Sequence, residues 1–358
     1  MARTRRGWRS KLLLLSAGIL VALLLAEIAA RAFWADLAPP ADVQTDYPLA
    51  EKPFPGRGFF LLPDSSYESR YDGDPYDQLP PEKVIRYTLN EEGFREGTFS
   101  DGGDEGEPLV AVLGDSFVFG EGVEQHRTLT VVAQSLLRAS WGGGVRVLNL
   151  GVPGYATEDE RDLAAAFLPR VEPDVVIVGY CLNDPLHWED QRQQAKKGVD
   201  LVVQRDAYRE KGGGDESPFY LVRLVRRAVE TRRLTSETVA WYRGMYEGAE
   251  APWIQARNFL LEIRNAARRA GARMGILLFP IFFRLESGYP FESIHTGIVD
   301  WCGEVGIPVR DTLPDFRGRE TESLVVHPKD HHPNAAAHAV LGRALADLVV
   351  EVLEAERE

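Results

Sequence analysis

Cysteine is scarce in this chain of 358 residues, which has only Cys181 and Cys302. Both lie in predicted regular elements, so we interpret them as buried thiols rather than as a disulfide. No group of cysteines and histidines has the spacing of a zinc site. The sequence therefore argues against a disulfide-stapled scaffold and a zinc domain, and we expect neither a metal nor an organic cofactor.

Basic residues are also few: 41 Lys and Arg stand against 54 Asp and Glu, and the formal net charge is −13. This balance argues against nucleic acid as a partner. The first eleven residues are the exception, because they hold five basic side chains and no acid. A basic flank before an apolar segment is typical of a membrane-directed N-terminus and stays on the cytoplasmic side.

One long uncharged apolar run follows this flank, Leu12–Ala26, and it is short for a spanning helix. Pairing of Glu27 with Arg31 at i,i+4 would let the helix continue to Trp34. It would then be about 34 Å long, enough to cross a bilayer, with Trp34 at the interface. This interpretation makes residues 1–34 an uncleaved signal anchor.

The alternative is a cleaved signal peptide, with Ala30-Arg31-Ala32 as a small-x-small cleavage site. We favour the anchor, because a charged pair just before a cleavage site is unusual. Both interpretations place the body of the protein outside the cytoplasm. We therefore expect a single-pass protein of the cytoplasmic membrane with an extracytoplasmic domain.

The next segment, residues 35–107, is rich in Pro, Gly, Asp and Tyr and has no sustained period. We interpret it as a linker followed by a lead-in of short strands and turns, Phe54–Phe99, packed on the main domain. The turn at Asn90–Arg95 has two interpretations. Arg95 is either a surface residue of a structural turn or a cation at the rim of a cleft.

From residue 108 onward, apolar strand-like runs alternate with helical patterns. This alternation predicts a doubly wound parallel five-stranded α/β sheet flanked by helices, in a domain over residues 108–355. Ligands of such sheets bind beyond the carboxyl ends of the strands. The predicted strands are 109–113, 145–150, 175–181, 274–279 and 307–309.

An insertion over about residues 186–252 interrupts this alternation and is too long for an ordinary βα connection. It contains two helix-like stretches, Phe219–Arg233 and Thr238–Tyr246. We interpret the insertion as a helical cap over the cleft, and a decorative surface insertion is the alternative. Aromatic side chains such as Trp188, Trp241 and Tyr242 are expected to pack on the core rather than stack on sugar rings.

Two segments carry the chemistry. Gly114-Asp115-Ser116-Phe117 directly follows the first strand, where a helix should begin, and Asp330-His331-His332-Pro333-Asn334 lies near the C-terminus. A serine hydroxyl is a poor nucleophile until a base removes its proton, and that base needs an orienting group. The chain carries all three parts in the order Ser, Asp, His.

Two further segments, Asn149–Gly154 and Gly179–Asp184, follow the second and third strands. With these four blocks in order, residues 108–350 resemble the SGNH (GDSL-type) hydrolase superfamily, named after Ser, Gly, Asn and His. The resemblance implies a flavodoxin-like fold and ester hydrolysis. It departs from the common pattern in two places, since Cys181 stands where many members have Gly, and Asp-x-His replaces Asp-x-x-His.

The resemblance and the chemistry of the residues agree on roles. Ser116 is the expected nucleophile, His332 the general base and Asp330 the group that orients it. The expected oxyanion donors are the backbone N–H groups of Ser116 and Gly151 and the side-chain amide of Asn183. His332 is preferred to His331 as the base because it precedes the Pro-Asn pair that often follows the family's histidine.

These residues predict a membrane-anchored, extracytoplasmic serine esterase that hydrolyses O-acyl esters, chiefly acetyl esters, of envelope glycans or lipids. Its partners would be an acyl ester of a glycan, a lipid or a small molecule, and the membrane through the N-terminal helix. One alternative is a polysaccharide O-acetyltransferase with the same triad, since the short Asp-x-His spacing resembles transferases of the alginate acetylation type. The other is a non-enzymatic glycan-binding protein.

Overall fold

The computed structural model describes residues 4–33, 43–95, 107–196 and 217–354. They belong to two compact units. One unit contains residues 4–33 and 217–238, and the other contains residues 43–95, 107–196 and 239–354. Trp34, residues 35–42 of the predicted linker and the segments 96–106 and 197–216 lie outside the described residues.

The helices of the two units are numbered in chain order. They are α1 (Thr4–Phe33), α2 (Ser116–Phe119), α3 (Leu129–Trp141), α4 (Thr157–Val171), α5 (Trp188–Lys196), α6 (Tyr220–Tyr246), α7 (Trp253–Arg269), α8 (Glu292–Val305), α9 (Leu313–Phe316) and α10 (Ala335–Glu354).

Within the described ranges, the strands form one central sheet and three small sheets. They are β1 (Val43–Thr45), β2 (Leu49–Ala50), β3 (Phe60–Leu61), β4 (Ser66–Tyr71), β5 (Val84–Thr88), β6 (Leu109–Gly114), β7 (Arg146–Gly151), β8 (Val175–Tyr180), β9 (Arg273–Leu278), β10 (Val309–Asp311), β11 (Val325–His327) and β12 (Asp330–Pro333).

The central sheet has the order β10-β9-β8-β6-β7, and all of its pairings are parallel. Successive residues of β6 point to opposite faces of the sheet. Val110 and Val112 pack in one hydrophobic cluster, with residues of α3 and α10. Ala111 and Leu113 pack in the other cluster, with residues of α4 and α7. The sheet is therefore covered on both faces, and the predicted doubly wound five-stranded fold is confirmed.

The fifth strand lies slightly later than predicted, at 309–311 instead of 307–309. The Ile307 N–H is used to close the preceding helix on the Cys302 carbonyl. Pro308 has no N–H to donate, although its carbonyl accepts from Ile276. Regular pairing with β9 therefore begins only at Val309.

Strands β4 and β5 of the lead-in pair with β1, which lies in the predicted linker, and form a three-stranded antiparallel sheet, β1-β4-β5. Its buried side chains Tyr67, Tyr71 and Tyr87 belong to the same hydrophobic core as β6 and α4. The lead-in is therefore part of the body that carries the central sheet, and this packing brings residues of β4 to the carboxyl edge of that sheet.

In the first unit, the end of α1 is tied to the start of α6. The Glu27 carboxylate accepts from the backbone N–H groups of Tyr220 and Leu221, both at 2.8 Å. Arg31 pairs with Glu27 at 2.9 Å and donates to the Pro218 carbonyl at 2.9 Å. The predicted Glu27–Arg31 pair is thus confirmed, and Glu27 also caps the first turn of α6.

The helices observed in the insertion differ from the predicted ones, and α5 (Trp188–Lys196) was not predicted. The two predicted helical stretches are one continuous helix, α6, since nothing between them breaks the helix. Its last turns pack on the central domain: Tyr242 is buried and its ring lies 4.9 Å from that of Phe291. The Tyr246 hydroxyl lies 3.1 Å from both the Tyr180 hydroxyl and the Leu182 carbonyl oxygen. For Tyr242 the expected packing role is confirmed.

Candidate active site

The turn after β6 presents Ser116 as the first residue of a one-turn helix. A side chain at Gly114 would place its Cβ 2.3 Å from Val118 Cγ2, so only glycine permits this tight strand-to-helix turn. Asp115 caps the helix by accepting from the Phe117 N–H at 2.8 Å. The Ser116 hydroxyl is thus held at the carboxyl edge of the central sheet.

The antiparallel pair β11–β12 brings the other two predicted residues to the serine. His332 Nε2 lies 2.8 Å from Ser116 Oγ, and His332 Nδ1 lies 2.5 Å from Asp330 Oδ1. The Asp330 oxygen also accepts from the His332 backbone N–H at 3.1 Å. These contacts form the serine, imidazole and carboxylate relay that acyl transfer requires.

His331 points elsewhere, because its Nε2 lies 3.1 Å from the carbonyl oxygen of Pro328. Asn334 ends this segment and caps α10 by accepting from the N–H groups of Ala336 and Ala337. The geometry favours His332 over His331 as the partner of Ser116.

Tyr71 is a site residue that the sequence analysis missed. Its hydroxyl donates to Asp330 Oδ2 at 2.6 Å, so both oxygens of this buried carboxylate are engaged. Tyr71 lies at the end of β4, 259 residues before Asp330. No local pattern marks it, because the contact exists only once the lead-in sheet has packed on the domain.

The charges of the site shift the pKa values of its two titrating partners in opposite directions. Burial lowers the pKa of the His332 imidazole, but the carboxylates of Asp330, Glu121 and Asp115 outweigh it and raise that pKa above its usual range. Burial raises the pKa of Asp330, but His332 and the hydrogen bond from Tyr71 hold it below its usual range. A protonated His332 is therefore strongly stabilised beside an ionised Asp330.

Two of the three predicted oxyanion donors are free in the described part of the chain. The Ser116 backbone N–H and the half-buried Asn183 side-chain amide make no hydrogen bond there. The turn that presents Asn183 is fixed by Asp184, whose Oδ2 accepts from the Cys181 N–H at 2.7 Å. These two donors are available to a substrate oxygen.

The structure contradicts the prediction that Gly151 is the third oxyanion donor. Its N–H already donates to Asn149 Oδ1 at 3.0 Å, and Asn149 in turn donates to the Val118 carbonyl at 2.9 Å. A Cβ at Gly151 would lie 2.3 Å from the Phe119 backbone nitrogen. The glycine is therefore required for packing against α2, rather than for approach of a substrate.

The same turn contains a second glycine that sequence reasoning passed over. Gly154 is exposed and has φ +81°, and its N–H makes no hydrogen bond within the described residues. The Pro153-Gly154 pair, which is typical of a turn with a positive φ at the glycine, was the signal available in the sequence.

We expect Asn183→Ala to lower kcat for ester hydrolysis by about 100-fold or more, because loss of one preorganised oxyanion donor typically costs that much. KM should change far less, since the donor acts mainly on the charged intermediate. Steady-state kinetics on a p-nitrophenyl ester would measure both constants, with Asn265→Ala, which removes an exposed amide on α7, as the control. An unchanged kcat would remove Asn183 from the oxyanion site.

A buried cluster behind the nucleophile has the composition of a metal site. Ligand atoms of Asp115, Cys181 and Asp184 lie within 4.8 Å of one another. Most of these atoms already take part in hydrogen bonds, because Asp115 Oδ1 accepts from the Phe117 N–H and the Cys181 thiol, and Asp184 Oδ2 accepts from the Cys181 N–H. Within the described residues, the buried Asp184 Oδ1 has no hydrogen-bond partner. We therefore interpret the cluster as the framework of the two turns. Cys181 and Cys302 are both buried free thiols, as expected.

Arg95 is neither a surface residue nor a cation at a cleft rim. It is 2% exposed and donates to the Phe119 carbonyl at 2.9 Å and the Val123 carbonyl at 2.5 Å. It also bonds the Gly120 carbonyl. Arg95 therefore holds the loop that follows the nucleophile helix, including Glu121.

Comparison with known proteins gives one family match and several similar solved structures. The profile of the GDSL-like Lipase/Acylhydrolase family matches residues 112–340. No curated protein matches the chain. Among solved structures, the crystal structure of TesA is 15% identical with a TM-score of 0.42, covering 68% of this chain and 99% of that one.

Two further structures are similar. A putative lipolytic protein of the G-D-S-L family from Desulfitobacterium hafniense DCB-2 is 11% identical, with a TM-score of 0.41 and coverage of 68% and 99%. Axe2, an acetylxylan esterase from Geobacillus stearothermophilus, is 18% identical, with a TM-score of 0.38 and coverage of 68% and 94%. Because the family profile spans well over half of the sequence and includes Ser116 and His332, the chain belongs to the GDSL-like lipase/acylhydrolase family and is an ester-hydrolysing enzyme.

Proposed function

We propose that this protein is a membrane-anchored, extracytoplasmic serine esterase that removes O-acyl groups, chiefly acetyl groups, from envelope glycans or lipids. The observation that carries the proposal is the unbroken relay from Asp330 through His332 to Ser116, with contacts of 2.5 and 2.8 Å. Such a relay activates a serine for attack on an ester carbonyl.

In the first half-reaction, Ser116 Oγ bonds to the ester carbonyl carbon while its proton passes to His332 Nε2. The carbonyl electrons move to oxygen, and the Ser116 N–H and the Asn183 amide stabilise the oxyanion. When the carbonyl re-forms, the bond to the alcohol breaks and the alcohol oxygen takes the proton from Nε2. The product is an acyl-Ser116 ester, and Asp330 stays ionised throughout.

In the second half-reaction, water gives a proton to His332 Nε2 and its oxygen attacks the acyl-Ser116 carbonyl. When the tetrahedral intermediate collapses, the proton passes from His332 Nε2 to Ser116 Oγ and the carboxylic acid is released. A sugar hydroxyl in place of water would produce a transferase with the same residues. The short Asp-x-His spacing, which places Asp330 on the His332 ring, is the observation that keeps the transferase as the second candidate.

The two candidates are separated by the fate of the acyl group. Wild-type protein and Ser116→Ala would be incubated with p-nitrophenyl acetate, with and without an unacetylated polysaccharide. An esterase releases acetate into water at a rate that the polysaccharide does not change. A transferase turns over slowly in water, is accelerated by the polysaccharide and leaves acetyl groups on it. Release that does not require Ser116 would contradict both.

Membrane attachment is supported by α1, in which Ser10–Ala32 is long and apolar enough to cross a bilayer and has a mean hydropathy of 2.6. A signal peptide is removed and needs no contacts with the mature protein. Glu27 and Arg31, however, bond the backbone at Pro218, Tyr220 and Leu221. These bonds favour a retained helix, and cleavage after Ala32 would leave the first turn of α6 without its cap.

We expect the mature protein to keep residues 1–32 and to be extracted from membranes only by detergent, as intact mass and fractionation would show. Glu27→Ala should speed amide hydrogen exchange at Tyr220 and Leu221, because loss of a cap costs about 1 kcal/mol. Glu237→Ala, which removes an exposed pair with Arg233 on the same helix, is the control. A soluble protein that begins after Ala32 would overturn the anchor.

A further inference from the structure

A second buried carboxylate faces the imidazole from the side opposite Asp330. Glu121 Oε2 lies 3.6 Å from His332 Nε2, the same nitrogen that contacts Ser116 Oγ at 2.8 Å. Glu121 is 6% exposed. The imidazole therefore has one carboxylate on each ring nitrogen, whereas the serine relay itself requires only the one on Nδ1.

Several independent contacts fix Glu121 in this place. Its backbone N–H donates to the Ser116 carbonyl at 3.1 Å, which ties it to the nucleophile turn. The Tyr47 hydroxyl bonds its Oε1, so Oε2 remains directed at His332. The following Gly122 has φ +81°, and its N–H donates to the Tyr87 hydroxyl at 2.9 Å. The position of the carboxylate is thus built into the fold rather than chosen by a mobile side chain.

We propose that Glu121 sets the basicity of His332: its negative charge at Nε2 makes the imidazole a stronger base for the Ser116 proton and moves the working range of the enzyme to higher pH. This inference rests on the proposed role of His332 as general base. It adds no proton carrier, because the proton still travels only between Ser116, His332 and the leaving or attacking oxygen.

The charged and titratable groups around this pair come from several elements. Those that interact with Glu121 or His332 are Tyr47, Tyr67, Tyr71, Tyr87, Asp115, Asp330 and His338. Burial raises the pKa of the tyrosine hydroxyls, and they stay neutral over the working range. Burial lowers the pKa of His338, which is therefore neutral as well. Arg95 adds a positive charge near Tyr67 and Tyr87.

Among these groups, only Asp330 stabilises the protonated imidazole of His332 more strongly than Glu121 does. Burial raises the pKa of Glu121, and the Tyr47 hydrogen bond and the charge of His332 oppose that rise. Tyr47 therefore favours the ionised form of Glu121, which is the form that acts on His332.

The sign of the effect follows from the role of the base. His332 must be neutral to take the serine proton, so kcat/KM rises as the pH passes through the pKa of His332 in the free enzyme. Removing the charge of Glu121 lowers that pKa, so the rise occurs at lower pH. It also weakens the base, so the plateau at high pH falls. A residue with a merely structural role would lower the plateau without moving the rise.

The first test is the pH profile of kcat/KM on p-nitrophenyl acetate. For Glu121→Gln, we expect the rise to move to lower pH by at least about one unit, because a carboxylate this close to an imidazole typically has that effect. Tyr47→Phe should move it in the same direction by less, and Glu121→Asp should restore part of the wild-type position. The exposed neighbour Glu124→Gln should leave it in place.

The second test does not depend on activity. The His332 ring would be titrated by NMR in a Ser116→Ala background, with and without Glu121→Gln. A lower pKa with Glu121→Gln supports the proposal even if no ester substrate is found, which separates its failure from that of the proposed function. An unchanged His332 pKa in a folded Glu121→Gln protein would overturn it, as would a pH profile that keeps its position while the plateau falls.

Discussion

Replacing Ser116 with alanine is expected to lower kcat/KM for ester hydrolysis by at least about a thousandfold, because loss of the nucleophile removes the acyl-enzyme route. Residual turnover would come only from the oxyanion donors and substrate binding. The measurement is initial-rate hydrolysis of p-nitrophenyl acetate by the purified protein in detergent, with the free energy of unfolding measured beside it.

The effect on folding should be small. Ser116 is 9% exposed, and its side chain has one hydrogen bond to His332. Ser135→Ala is the matched control, since its hydroxyl bonds the Val131 carbonyl of its own helix, and it should keep full activity. Comparable hydrolysis by Ser116→Ala and wild-type protein would rule out a serine esterase.

The second large effect is expected at Asp330. Asp330→Asn should reduce kcat by about ten-thousandfold, the magnitude seen when an amide replaces the carboxylate of a serine relay and holds the wrong histidine tautomer. The amide would also remove the charge that stabilises protonated His332. Kinetics at several pH values would show a lower kcat at every pH, rather than an unchanged profile displaced along the pH axis.

Asp184→Asn is the control for Asp330→Asn, because Asp184 is also a buried carboxylate and lies in the turn that carries Asn183. Its Oδ2 accepts one backbone N–H, and an asparagine oxygen can accept the same bond. We expect a smaller loss of kcat than for Asp330→Asn. A larger loss of kcat for Asp184→Asn than for Asp330→Asn would assign the orienting role to Asp184. It would contradict the role that the short Asp-x-His spacing gives to Asp330.

The contacts among Ser116, His332 and Asp330 could be predicted because each of these residues lies in a short segment with a recognisable context. Ser116 directly follows an apolar strand, and Asp330 and His332 are two residues apart. The parallel sheet then places strand ends at one edge, which limits where these groups can meet. The central sheet was predictable for the same reason, since its strands are continuous apolar runs buried on both faces.

The supporting groups could not be predicted, because they depend on tertiary packing. Tyr71 comes from the lead-in and Tyr47 from the predicted linker, and neither segment has a periodicity that places it against the site. Glu121 lies five residues after Ser116 between two glycines, but its direction toward His332 depends on Tyr47 and the Arg95-held loop. An acidic residue so close to the predicted nucleophile was the one signal that the sequence offered.

Two residue patterns show how local rules misassign a role. The rule that glycine leaves room for a substrate favours Gly151, whereas Phe119 occupies that room. The spacing of Thr157 and Glu160 predicts a capping box at the start of α4. The helix cap is Ala156, and Asp159 accepts from its N–H at 3.2 Å, because the helix starts one residue earlier than this spacing predicts. In both cases the residue type is informative, but the sequence does not show its neighbour in space.

The proposed mechanism depends above all on an acyl group carried by Ser116. Mass spectrometry of the protein, quenched in acid during turnover of p-nitrophenyl acetate and then mapped by peptide, would detect that group directly. We expect a single acetyl group on the peptide that contains Ser116 and none in Ser116→Ala. In Asn183→Ala, slower deacylation should make the acetylated protein accumulate. Acetylation confined to another residue, or turnover with no adduct while a diethyl phosphoryl probe also fails to label Ser116, would contradict the mechanism.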